Sequence, residues 1–239
     1  MAEFGYVLSC EEHSPAELAE QARTAEQAGF SSLWITDHHH PWNDRQGQSP
    51  FVWTVIGALS QAVSLPVETA VTCPLVRTRP AVIAQAAATG AALPGGRFRL
   101  RVGTGDGLIT MMPDAAMVER FRRGGGGTKP AYGGLKACWG TDRQEAVRTA
   151  HRLWANEQLP GELPQILPTP PHFEQASELV TEERVAASVP CGDDPDAHVE
   201  APAAFVDAGF DAVYVNQIGK DQQGYFDFYR TKVLPRLRD

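Results

Sequence analysis

The sequence predicts a (β/α) barrel of the TIM type, shortened and either incomplete or distorted, formed by one domain over residues 1–239. Three observations carry this prediction. Apolar strand-like runs alternate with helical stretches along the chain, which favours parallel strands joined by helical crossovers. A helix-to-strand joint recurs, because Ala28-Gly29-Phe30-Ser31-Ser32-Leu33-Trp34-Ile35 is echoed by Ala208-Gly209-Phe210-Asp211-Ala212-Val213-Tyr214-Val215. No glycine-rich dinucleotide fingerprint follows the first strand, which favours a barrel over its alternative, a doubly wound sheet.

The elements follow in order. Val7 to Ser9 closes a first strand, and Ser14-Pro15-Ala16-Glu17 then supplies an N-cap serine, a proline at the first helical position and a capping-box glutamate. Gly29 suits the left-handed residue after that helix, and Leu33-Trp34-Ile35 is the second strand. A helix after Ser49-Pro50, a strand at Val67 to Thr72, a helix after Thr78 and a strand at Phe98 to Val102 continue the pattern. Leu108 to Met111 and Leu135 to Trp139 read as further strands, with helices from Asp114 and Thr141. Pro202 interrupts a helix from Asp196 to Ala208, and five prolines make residues 159–171 an extended loop. Gly124 to Lys129 reads as a flexible connector, since its lysine precedes no helix.

One junction departs from the rhythm. Only Gly103-Thr104-Gly105-Asp106-Gly107 separates two strands, whereas neighbouring parallel strands need a crossover of about a dozen residues. At residues 103–107 a segment is missing, or the sheet is locally irregular, and six or seven strands are expected. Arg99 and Arg101 share one face of the strand before the junction, where an unpaired buried charge costs several kcal/mol.

Composition narrows the function. A formal charge of −8 repels phosphate backbones and anionic lipid, so nucleic-acid and membrane partners are not expected. Cys10, Cys73, Cys138 and Cys191 stand singly, as reduced thiols of a cytoplasmic protein do. The densest polar cluster, Thr36-Asp37-His38-His39-His40-Pro41-Trp42-Asn43-Asp44, follows the second strand directly, at what would be the catalytic rim of a barrel. A proton-handling histidine beside an organic cofactor is the leading reading. A polar loop with incidental histidines and a metal site on His38 and His40 are its alternatives. Gly103-Thr104-Gly105 can bring backbone N–H groups to a flat or anionic ligand, or be a plain tight turn. Cys73 is expected to be a buried structural thiol, not a nucleophile. Tyr6, Trp42, Phe51 and Trp53 read as pocket lining or as core.

Gly5-Tyr6, Glu11-Glu12-His13-Ser14-Pro15, Asp37-His38 to Trp42, Ser49-Pro50-Phe51 and Pro80 to Gln85, together with Gly103-Thr104-Gly105, resemble the luciferase-like monooxygenase superfamily in its coenzyme F420-dependent branch. The likeness covers almost the whole chain in two blocks, 1–105 and 106–239. It implies a deazaflavin lying across the strand ends, with FMN as the alternative coenzyme, and hydride transfer to or from a small alcohol or sugar-like substrate. It also implies a homodimer. On this resemblance His38, Asp106 and Trp42 are the catalytic residues, and Asp37, Ala70, Val71, Thr104 and Gly105 bind the coenzyme, with a non-proline cis peptide at Ala70-Val71. Relatives carry glutamate where this chain has Asp106, and a helix, an insertion, a strand and a second helix where it has the five-residue link. An F420-dependent oxidoreductase is thus the leading function. A shortened non-catalytic relative and a metal-dependent hydrolase on His38 and His40 are the alternatives.

Overall fold

A computed structural model of the chain describes residues 2–73, 78–93, 97–102 and 107–238. Seven parallel strands form one curled sheet in the order β4-β3-β2-β1-β7-β6-β5. They are β1 (Glu3–Leu8), β2 (Leu33–Ile35), β3 (Val67–Thr69), β4 (Phe98–Arg99), β5 (Leu108–Thr110), β6 (Ala131–Ala137) and β7 (Ala212–Gln217). Among the described residues no ladder joins β4 to β5, which stand at opposite ends of the sheet. The architecture is therefore a shortened barrel with an unclosed side, as the five-residue link requires.

The connecting helices are α1 (Pro15–Ala28), α2 (Val52–Ala62), α3 (Pro80–Ala92), α4 (Ala115–Phe121) and α5 (Arg143–Trp154), followed by α6 (Leu163–Ile166), α7 (Pro170–Ser177), α8 (Glu182–Ala186), α9 (Pro195–Asp207), α10 (Gln222–Phe228) and α11 (Leu234–Arg238). The capping box of α1 forms as its sequence dictates: the Ser14 hydroxyl accepts from the Glu17 N–H, and the Glu17 carboxylate accepts from the Ser14 N–H. Gly29 takes the left-handed C-terminal position at φ 96°.

Several expected boundaries move. β6 begins at Ala131, four residues before the expected Leu135, because Gly133 and Gly134 are strand residues required by packing and not chain breakers. A Cβ on Gly133 would lie 2.3 Å from Phe205 in α9, and one on Gly134 would lie 2.7 Å from the Met111 sulfur, so the strand is pressed from both faces. β3 ends at Thr69, and the Ala70–Val71 peptide that follows is cis, as expected from the resemblance. Pro202 does not interrupt α9; the helix runs through it with the ring buried. The proline-rich segment is not wholly extended either. It contains the single turn α6 and the start of α7, with Pro170 in the first helical turn, where a missing N–H costs nothing.

The main core lies between the sheet and the helices and holds Leu8, Leu18, Leu33, Ile35, Leu59, Val213 and Phe226. Tyr6 belongs to this core, and Trp53 packs against it with its ring 5.8 Å from Phe98, whereas Phe51 is exposed. A second layer fills the barrel interior. Trp34 and Tyr214 stack there with ring centroids 3.9 Å apart at 9°, beside Tyr132 and Val7. Glu68 lies in the same floor, fully buried, and resolves the two arginines noted above. Arg99 Nη1 donates to Glu68 Oε1 at 2.7 Å, Arg101 Nε donates to Oε2 at 3.0 Å, and the Trp34 indole donates to Oε2 at 3.4 Å. The Arg101 guanidinium also bonds the Tyr132 hydroxyl and lies 4.2 Å over its ring.

Candidate functional site

The carboxyl ends of β1 and β2 converge at the mouth of the barrel. The residues after β1 include Glu11, whose carboxylate is almost fully buried, and the segment after β2 brings Thr36 and His38 to the same group. Ser9 Oγ donates to Glu11 Oε2 at 2.7 Å, Thr36 Oγ1 donates to the same oxygen at 2.9 Å, and Glu11 Oε1 engages His38 Nδ1. Burial alone would raise the pKa of Glu11. The hydrogen bond and charge of His38, with the Ser9 hydroxyl, outweigh it and hold the carboxyl down at about 2. A buried anion therefore fixes one ring nitrogen of a half-exposed histidine, and among the described residues nothing bonds Nε2.

Neighbouring groups set the histidine in place. The Ser49 hydroxyl donates to the His38 carbonyl at 3.0 Å, and the Trp42 ring stands edge-on to His38 at 4.8 Å, held from behind by Phe173 at 4.9 Å. Thr72 Oγ1 donates to Asp37 Oδ2 at 2.9 Å, which ties the end of β2 to the cis segment after β3. Ala70 and Val71 are half-buried at that mouth. Of the residues singled out in the sequence, His38, Trp42, Asp37, Ala70 and Val71 are thus brought to neighbouring strand ends. Thr104, Gly105 and Asp106 lie outside the described residues.

The remaining histidines of the cluster do not join it. His40 Nδ1 bonds the carbonyl of Pro41 at 2.9 Å, and the His39 and His40 rings are 6.2 Å apart. Among the described residues no group of three or more His, Cys, Asp or Glu side chains is arranged to hold a metal ion. Cys73 is exposed, not buried as expected, because the chain leaves the sheet at Thr72.

Sequence reasoning gave no role to Glu11 or Lys136. The available signal for Glu11 was its position, a polar residue directly after an apolar strand, the same placement that drew attention to His38. Lys136 sits near the end of β6 in register with Asn216 of β7. Its side chain is only 10% exposed, its Nζ lies 2.8 Å from Glu157 Oε1 and 3.8 Å from the centre of the Trp154 ring. Glu12 accepts from the Trp154 indole at 2.5 Å and from the Gly219 N–H at 3.1 Å, and burial pushes its carboxyl up to about 7. Trp42, Lys136 and Arg184 of α8 are among the residues lining a cavity of about 550 Å³ at this end of the barrel.

A model of the luciferase-like monooxygenase family matches residues 2–123, just over half of the chain. The chain belongs to that family. Among luciferase-like proteins it is 27% identical over 329 residues to the F420-dependent glucose-6-phosphate dehydrogenase of Nakamurella multipartita, covering 98% of this chain and 96% of that one. It is 28% identical over 323 residues to the F420-dependent hydroxymycolic acid dehydrogenase of Mycobacterium tuberculosis, covering 98% and 88%. An alignment of 329 positions against a chain of 239 leaves at least 90 unmatched, so the Nakamurella protein has sequence with no counterpart here. The fold matches that of an F420-dependent secondary alcohol dehydrogenase solved with an F420-acetone adduct, with a TM-score of 0.86, 20% identity and coverage of 100% and 99%.

Proposed function

We propose that this luciferase-like protein is an F420-dependent oxidoreductase that transfers a hydride between the deazaflavin and a small hydroxyl-bearing substrate, an alcohol or a sugar-like molecule. The observation that carries this reading is the Glu11–His38 pair at the mouth of the barrel. Oxidising an alcohol removes a hydride and a proton, and the proton needs a base with a fixed tautomer and a free nitrogen. With Nδ1 held by Glu11, His38 takes the hydroxyl proton at Nε2 and returns it in the reverse direction. The same carboxylate stabilises the imidazolium formed. Trp42 walls the histidine and limits water around it.

The residues present fit a deazaflavin. Asn216 Oδ1, buried on β7 beside Val7, has no hydrogen-bond partner among the described residues and offers an acceptor to the imide N–H of the deazaflavin ring. Ala70 and Val71 present small side chains, and Asp37, fixed by Thr72, adds a second acceptor. Bound there, the coenzyme supplies the hydride acceptor or donor. Three relatives named for F420 favour it over FMN. A segment absent after Gly105 accounts for the unmatched positions. A homodimer is supported by α3, which carries no charged residue and leaves Val82 half exposed, so Val82→Glu should shift the light-scattering mass toward the monomer.

Quenching of F420 fluorescence on titration with the protein, without stoichiometric metal, is the expected result. His38→Ala should lower turnover by about 10² to 10⁴-fold with folding nearly intact, and His39→Ala by less than about tenfold. β4 and β5, which no ladder joins to each other among the described residues, favour a second reading, a shortened relative that does not catalyse. Absence of F420 binding and of turnover would select it.

A further inference from the structure

The cavity beside Trp42 has a composition that the proton chemistry does not use. Its wall is largely apolar, with Trp42, Met111, Met112 and Val189 among the lining groups, yet two cations stand in it, Lys136 and Arg184. Lys136 is compensated by Glu157 at 2.8 Å. Arg184, at the surface of α8, has no carboxylate within ion-pair distance among the described residues. Among the described residues the wall therefore holds one uncompensated positive charge, and it is a guanidinium, whose planar pair of N–H donors matches a carboxylate.

We infer that this cavity binds the carboxylate and hydrocarbon chain of an amphipathic organic acid, with Arg184 as the residue that selects the charge. The inference rests on the oxidoreductase reading, since it makes the substrate a hydroxy acid whose hydroxyl is handled at His38 next to Trp42. A single uncompensated charge suits a monoanion. A phosphate ester near pH 7 carries close to two charges and is best held by several cations or a ring of N–H donors, which an apolar wall does not offer. The flexible, partly exposed side chains of Met111 and Met112 give a wall that adapts to chains of different shape.

Octanoate, 1-octanol and glucose 6-phosphate are the probes, titrated calorimetrically into the full chain with F420 bound and again without it. Octanoate should bind more tightly than 1-octanol by about tenfold, the effect of one exposed charge-assisted pair. Arg184→Gln should remove that advantage and leave 1-octanol within about twofold, and Arg184→Lys should keep part of it. Octanoate binding no better than 1-octanol, or unchanged in Arg184→Gln, overturns the inference. Glucose 6-phosphate binding more tightly than octanoate through Arg184 overturns the carboxylate assignment in favour of phosphate. F420 binding without octanoate binding removes the acid pocket and leaves the oxidoreductase reading standing. Octanoate binding without F420 binding does the reverse.

Discussion

The two sides of the barrel are held by different forces. On one side β1, β7 and β6, six, six and seven residues long, pair in continuous register and bury an apolar layer under α1, α9 and α10. On the other, β4 is two residues long and β5 three, and no ladder among the described residues connects them. Here charge replaces the sheet. Glu68 on β3 binds both arginines of the β4 segment, and Arg101 reaches on to Tyr132 of β6, so a side-chain network spans the interior where backbone pairing is lacking. The difference teaches how a barrel of this family survives with seven strands. Its closed half supplies a hydrophobic core, and its unclosed half is tied through its floor.

Glu68→Gln breaks the comparison most severely. Removing the anion leaves Arg101, 12% exposed, without its charge partner, and such losses cost about 3 to 5 kcal/mol. Urea denaturation should show that loss, and a change below about 1 kcal/mol would mean that the network contributes nothing to closure. The next contrast is a matched truncation. Leu8→Ala, in the fully buried layer, should cost about 2 to 5 kcal/mol, and Ile109→Ala, 36% exposed on β5, under about 1 kcal/mol. Equal costs would show that the side of β5 is packed as tightly as that of β1.

The smallest effect is a pH dependence carried by the loop after β1. Burial holds His13 down at about 4 against 6.5 in the unfolded chain, so its contribution is present at high pH and is lost as pH falls from about 6.5 to 4. Glu12, pushed up to about 7 from 4.5, acts oppositely, and its contribution is lost as pH rises across that interval. His13→Gln should therefore lower stability at pH 7 relative to pH 5, and Glu12→Gln should raise it. Urea midpoints at the two pH values check both signs.

These contrasts also show which parts of the molecule could be read from residue order. Local rules sufficed for α1, whose cap, first-turn proline and terminal glycine all lie within its own segment. They sufficed for the unclosed side too, because a five-residue link cannot join neighbouring parallel strands. They failed for β6, where Gly133 and Gly134 make sense only once Phe205 and Met111 press on them. His38 was legible from its place after a strand. Its partner was not, since Glu11 lies 27 residues away and its neighbour Glu12 is an equal candidate until the chain folds. Glu68 was hidden for the same reason: a carboxylate in a strand looks like an exposed residue until two arginines from another strand reach it.

The stacked Trp34–Tyr214 pair has an optical consequence. Aromatic transition dipoles held parallel at 3.9 Å couple strongly, so the floor of the barrel should contribute a near-ultraviolet circular dichroism band of its own. Trp42 stands instead against His38 and Phe173 at the rim, where its emission responds to whatever enters. The part of the tryptophan emission that a Trp42→Phe variant lacks would thus report the occupied mouth, and a melt followed by the dichroism of the floor the intact base, without any added label.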